Sequence, residues 1–224
     1  MSLKLLNLKR EQLAKHVSSQ LNAIFPQPES DTQTILEEGL PSTLSRIEYC
    51  FAHINHPSYS SECQAIFDPY HSDQYATFLY ILSNEVYRLR GLHPVAQRLF
   101  GLNKALHGLN CMYDVALPAV FWLVHSVGTV VGKATYGNNL VIRQNCTVGA
   151  LSGKYPVIGD GFIMSAGCSL IGDCKIGDNV MLAPSTTVFD SDLPANTLVS
   201  GHYLYGLHHK PLGDRALKAH FHIT

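Results

Sequence analysis

Histidine and cysteine are the chemically versatile residues of this 224-residue chain, with 12 and six copies. His125 stands apart, because no other histidine falls between His107 and His202. It opens a His-x-x-Gly-x-x-x-Gly run (His125, Gly128, Gly132) that is followed by Gln-x-x-Thr-x-Gly (Gln144, Thr147, Gly149). An imidazole titrates near neutrality, so it can take up and return a proton at physiological pH. A core histidine bonded to a backbone carbonyl is the competing reading. The tail carries His202, His208, His209, His220 and His222, but their spacing matches no zinc-ligand pattern. No CxxC pair occurs. Cys146, Cys168 and Cys174 recur at one position of a repeat, which predicts reduced, buried thiols acting as small core residues, while Cys50, Cys63 and Cys111 lie outside it.

The element that must position His125 is that repeat. Apolar residues return every six positions at Val130, Tyr136, Ile142 and Val148, then at Ile158, Met164, Leu170, Ile176, Leu182 and Val188. The register breaks once, where the segment from Ala150 to Tyr155 adds four residues to one interval. A period of six fits neither a helix nor a simple strand. It fits a parallel β-helix, a chain that turns a corner every six residues so that three short strands complete one coil. The residues four positions after each apolar peg (Ala134, Leu140, Cys146, Phe162, Cys168, Cys174, Val180, Thr186) are mostly small or β-branched, which suits the narrow interior. Gly-Asn and Gly-Asp steps at Gly137, Gly159, Gly177 and Gly172 predict corners that visit positive φ. The solenoid is expected from about Val115 to Val188, with Asp190–Gly201 leaving it through Pro194.

The region before the coil reads as helical. Leu13, Val17, Leu21 and Ile24 form one stripe, ended by Pro26. Asp31 is placed to cap a second helix with Ile35, Leu36 and Leu40. Tyr75, Phe78, Leu79, Leu82 and Val86 form a third stripe, and Pro94 starts a fourth with Val95, Leu99, Leu102 and Leu106. His56 to Ser72 reads as a loop. A net charge of −1 with 15% charged residues gives no electrostatic case for nucleic acid or an anionic membrane. The N-terminus lacks the apolar core of a signal peptide, and the apolar run from Val115 to Val124 is too short to span a bilayer. The expected location is the cytoplasm.

The segments HSVGTVVGKATYGNNLVIRQNCTVG (125–149), YPVIGDG and SAGCSLIGDCKIGDNV resemble the serine O-acetyltransferase family of hexapeptide-repeat acyltransferases. The resemblance implies an α+β fold: a helical N-terminal domain (1–112), a left-handed parallel β-helix (113–201) and a C-terminal tail (202–224). It implies acetyl transfer from acetyl-CoA to the hydroxyl of L-serine or a similar small hydroxylated amino acid, with His125 as catalytic base. Asp73, in DQYATFLY, resembles the family's helical-domain aspartate that approaches the substrate amine, although a solvated helix-start carboxylate is the competing reading. The family's cofactor groove maps onto Gly149, Ala150, Ala166 and Pro184. It lies between neighbouring subunits, which implies a homotrimer, with the helical halves able to pair trimers into a hexamer.

Three departures from the family pattern stand out. Val124 replaces a carboxylate immediately before the histidine. The aspartate that orients the imidazole, about fifteen residues upstream, falls on Asn110 without a gap or on Asp114 if the first coil is shortened; Asp114 is the expected partner. The family's Arg-His-Pro carboxylate clamp becomes Lys154-Tyr155-Pro156, which leaves a cation but no bidentate fork. The same chemistry on a sugar or another small hydroxyl or amine therefore stays open. A zinc carbonic anhydrase would need three histidines on adjacent coils, and no metal site is expected. A non-catalytic assembly protein is the remaining class.

Overall fold

The computed structural model describes residues 3–27, 31–62 and 64–223. Cys63 lies outside them. Four helices form the N-terminal half: α1 (Arg10–Ile24), α2 (Thr32–Ala52), α3 (Ser72–Arg90) and α4 (Pro94–His107). Each expected stripe faces the shared core, but Ile24 and Leu106, at the stripe ends, are exposed. Asp31 stands at the start of α2 without a side-chain capping bond. The segment expected as a loop contains strands at Ser60–Ser61 and Gln64–Phe67, the second pairing in parallel with Lys4–Leu5. Among the described residues, no helix is long and apolar enough to cross a membrane.

The coil forms as the spacing requires. Val157 pairs with Lys175, Ile163 with Met181 and Ser169 with Thr187, each eighteen residues on, or three hexads. Across the insertion the interval becomes twenty-two, as in Thr135 with Val157. Nine of the ten pegs are buried; Val130 is exposed and Val131 points inward instead. Cys146, Cys168 and Cys174 are free and fully buried, as are Cys50 and Cys111.

The glycines at the corners serve close approach more than backbone conformation. Positive φ falls later, on Asn139, Gly161 and Asn179. A Cβ on Gly137 would lie 2.4 Å from the Gly159 carbonyl carbon, and one on Gly177 would lie 2.5 Å from the Ala195 nitrogen. The following aspartates form a ladder: Asp160 Oδ1 accepts the Asn138 N–H at 2.7 Å, and Asp178 Oδ1 accepts the Asp160 N–H at 2.8 Å. Only Gly172 has the expected positive φ.

The chain does not leave the coil at Pro194. Leu193 bridges to Ile176, and Thr197–His202 continues the parallel stack on Val180–Leu182. Gly206–Pro211 then folds back antiparallel onto Thr197–His202 and covers that edge. A short helix, α5 (Arg215–His220), follows as a strap. His220 Nδ1 lies 2.7 Å from the Ala216 carbonyl and Nε2 lies 3.2 Å from Arg143, while Phe221 bridges to Ile54 in the helical half.

Candidate active site

His125 sits on an enlarged corner. Val124 pairs with Arg143 and Val130 with Thr147, so five residues, 125–129, face three on the next coil, 144–146. The two extra residues push the corner outward, leaving the His125 side chain 71% exposed. They also explain why Val131, not Val130, fills the interior. His125 itself has φ 52°, in the left-handed region that bulky residues populate at a cost. The motif glycines have local reasons too. Gly128 has φ 71° and lies against Asn145 Oδ1, while a Cβ on Gly132 would come within 2.6 Å of the Val148 carbonyl oxygen.

Asp73 holds this corner to the helical half. It lies in the first turn of α3, where the helix N-terminus favours a carboxylate, and its side chain is 13% exposed. Oδ2 accepts the His125 backbone N–H at 3.0 Å and stands 3.6 Å from His125 Nδ1. The end of α4 closes the other side. Gly108, at φ 64°, abuts Val127 and Gly128 so closely that a Cβ would lie 3.3 Å from the Gly128 nitrogen. His107 Nδ1 lies 3.1 Å from Ser72 Oγ, and burial pushes the imidazole's pKa down against the opposing pull of Asp73, so it stays neutral.

Between α3, α4 and the corner lies an open groove of about 610 Å³, into which Asp73, Lys104, His107 and His125 all face. His71 also lines it, but the three imidazoles do not converge: among the described residues no cluster of three or more His, Cys, Asp or Glu is placed to hold a metal. The corner continues along the coil as a column. Asn145 N–H donates to Val127, Gly167 N–H to Gln144 and Ser185 N–H to Ala166. Ala166 and Pro184 therefore share the His125 column, whereas Gly149 and Ala150 lie at the next corner, where Gly172 N–H donates to Gly149.

Other expected residues lie elsewhere. Asp114 does not meet His125. Its carboxylate pairs with Lys133 at 2.8 Å: the first coil is not shortened, since Asn110 pairs with Val130, twenty residues on, so Asp114 falls beyond the His125 corner, and the carboxylate beside the imidazole is Asp73. Lys154 does not line the groove within one chain. It pairs with Asp173 at 2.8 Å, in a separate hollow with Lys175, Asp190 and Asp192, and Tyr155 is exposed outside the groove. Lys104 and His107 were not singled out from sequence; they sit on a helix end with no periodic or motif signal.

No family model matches the chain. A serine acetyltransferase of Staphylococcus epidermidis is 27% identical over 132 residues, which cover 57% of this chain and 61% of that protein. One from Staphylococcus aureus is 25% identical over the same shares. The chain thus spans 61% of the length of these curated relatives. The crystal structure of serine acetyltransferase from Vibrio cholerae superposes with a TM-score of 0.73 at 18% identity, covering 93% of this chain and 82% of that one. A serine acetyltransferase in complex with CoA gives 0.68 at 18% identity, covering 90% and 84%.

The chain resembles serine acetyltransferases in sequence over 132 residues and in fold over most of its length. It shares their fold class, a helical N-terminal region followed by a left-handed parallel β-helix of about five turns. The match runs through both halves, since coverage of this chain by the Vibrio structure extends well beyond the repeat.

Proposed function

We propose that this chain is an acetyl-CoA-dependent O-acetyltransferase acting on the hydroxyl of L-serine or a similar small hydroxylated amino acid. His125 is the general base. The observation that carries the reading is the enlarged corner, which presents one exposed imidazole into a groove with its backbone and Nδ1 edge against Asp73.

In this mechanism Asp73 is a positioning residue. Its carboxylate favours the tautomer with the proton on Nδ1, which leaves Nε2 free to accept one. His125 Nε2 takes the hydroxyl proton as the acceptor oxygen bonds to the acyl carbon. Backbone N–H groups at the corner are the donors for the developing oxyanion. When the carbon–sulfur bond breaks, the imidazolium returns the proton to the departing sulfur. Acetyl-CoA supplies the acyl group as a thioester. The residues assigned to hold it are Ala166 and Pro184 on the His125 column, with Gly149 and Ala150 at the adjoining corner. A Cβ on Gly149 would meet nothing closer than 3.8 Å, so the coil does not need glycine there, and an open backbone suits close approach of a pantetheine arm. The CoA complex of a similar fold supports this choice of donor. A cytoplasmic homotrimer is the assembly that fits a groove shared between coils.

The test is thiol release from acetyl-CoA with L-serine and a panel of sugars and amines as acceptors. His125→Ala is expected to abolish turnover while melting temperature and acetyl-CoA binding persist. Full activity in that variant would refute the base assignment, and turnover confined to a sugar or amine would refute the serine assignment.

A further inference from the structure

An amino-acid acceptor brings a carboxylate into a groove that already holds Asp73, so a cation must balance it. Lys154, the sequence candidate, is engaged by Asp173 in another hollow. Lys133 is engaged by Asp114. Of the side chains facing the His125 groove, His107 is kept neutral by burial, and its Nε2 is enclosed without a partner. Lys104 is the remaining cation. It is exposed in the last turn of α4, and among the described residues no carboxylate lies within 4.0 Å of its ammonium. Its backbone is fixed relative to the base, because the Lys104 carbonyl accepts the Gly108 N–H at 3.1 Å and Gly108 is pressed against Val127 and Gly128.

We infer that Lys104 binds the carboxylate of the acceptor, and that the groove thereby selects small hydroxylated carboxylates over uncharged alcohols. The inference rests on the acetyltransferase reading above. A lysine gives charge without a planar fork, so it selects for the anion and tolerates variation in the rest of the acceptor. The hydroxyl of the same acceptor is then the group presented to His125.

The test compares L-serine with L-serinamide, whose carboxylate is neutralised, in the full-length wild type, Lys104→Ala and Lys104→Arg. Lys104→Ala is expected to raise KM for L-serine on the order of 10- to 100-fold, the loss of one charge-assisted contact. KM for L-serinamide should stay within about threefold, and Lys104→Arg should restore most of the L-serine affinity. An unchanged KM for L-serine in Lys104→Ala would overturn the inference, as would an equal rise for both acceptors. Absence of thiol release by the wild type with either acceptor would instead refute the parent reading, so the two failures are distinguishable.

Discussion

Replacing Asp73 with asparagine removes a charge while keeping the shape of the contact to His125. Two interactions change. The first is Coulombic: at 3.6 Å, unit charges interact by about 1 kcal/mol in water-like surroundings and about 4–5 kcal/mol at an effective dielectric of about 20. His125 is 71% exposed, so the low end applies, about 1–2 kcal/mol between Asp73 and the imidazolium that forms during proton transfer. The second is the bond to the His125 backbone N–H at 3.0 Å, which becomes neutral and loses about 1 kcal/mol of hold on a residue at φ 52°. Together the loss is roughly 2–3 kcal/mol, or about 30- to 150-fold in kcat. Thiol-release kinetics at saturating substrates measure it, with Asp73→Ala expected to fall further because the contact is lost entirely. Amide hydrogen exchange gives a second readout: His125 N–H should exchange at least about tenfold faster in Asp73→Ala. An Asp73→Asn enzyme with wild-type kcat would refute the positioning role. Equal losses in Asn and Ala variants would show that the charge carries the whole effect and the retained neutral contact none of it.

Two further predictions concern the scaffold. Gly137→Ala places a Cβ 2.4 Å from backbone of the next coil and should cost about 3 kcal/mol, lowering Tm by roughly 6–12 °C, whereas Gly213→Ala meets nothing within 4 Å and should stay within about 0.5 kcal/mol in a thermal melt. His220 is pushed below its usual pKa by burial and by Arg143, against the opposing bond to Ala216, so its contribution is present above about pH 6.5 and lost as pH falls from there, because the unfolded state then binds the proton first. Melts from pH 7.5 to 5 should therefore show falling stability with a smaller slope in His220→Gln, and an unchanged slope would remove the strap from that account.

The coil was legible in the sequence because each hexad is a local unit whose inward residue must be apolar wherever it lands. A break of four residues therefore appears directly as a change from eighteen to twenty-two in strand pairing. Helix stripes were legible for the same reason, failing only at ends such as Ile24 and Leu106, where burial depends on what lies opposite. The strand at Gln64–Phe67 escaped notice because its main partner, Lys4–Leu5, lies some sixty residues away.

His125 stood out in the sequence as the lone histidine of the coil, ahead of Gly128 and Gly132. Its partners were decided by tertiary structure. Two extra corner residues, visible only as pairings of Val124 with Arg143 and Val130 with Thr147, lift His125 out of the coil toward α3. That brings Asp73, fifty-two positions away, to its backbone and ring, while the nearer Asp114 is carried to Lys133. Lys104 reaches the same groove through the docking of Gly108 on the corner. Sequence fixes what repeats along the chain, because each six-residue unit folds against copies of itself. Which charges face one another depends on how two different halves pack, and no local pattern encodes that distance.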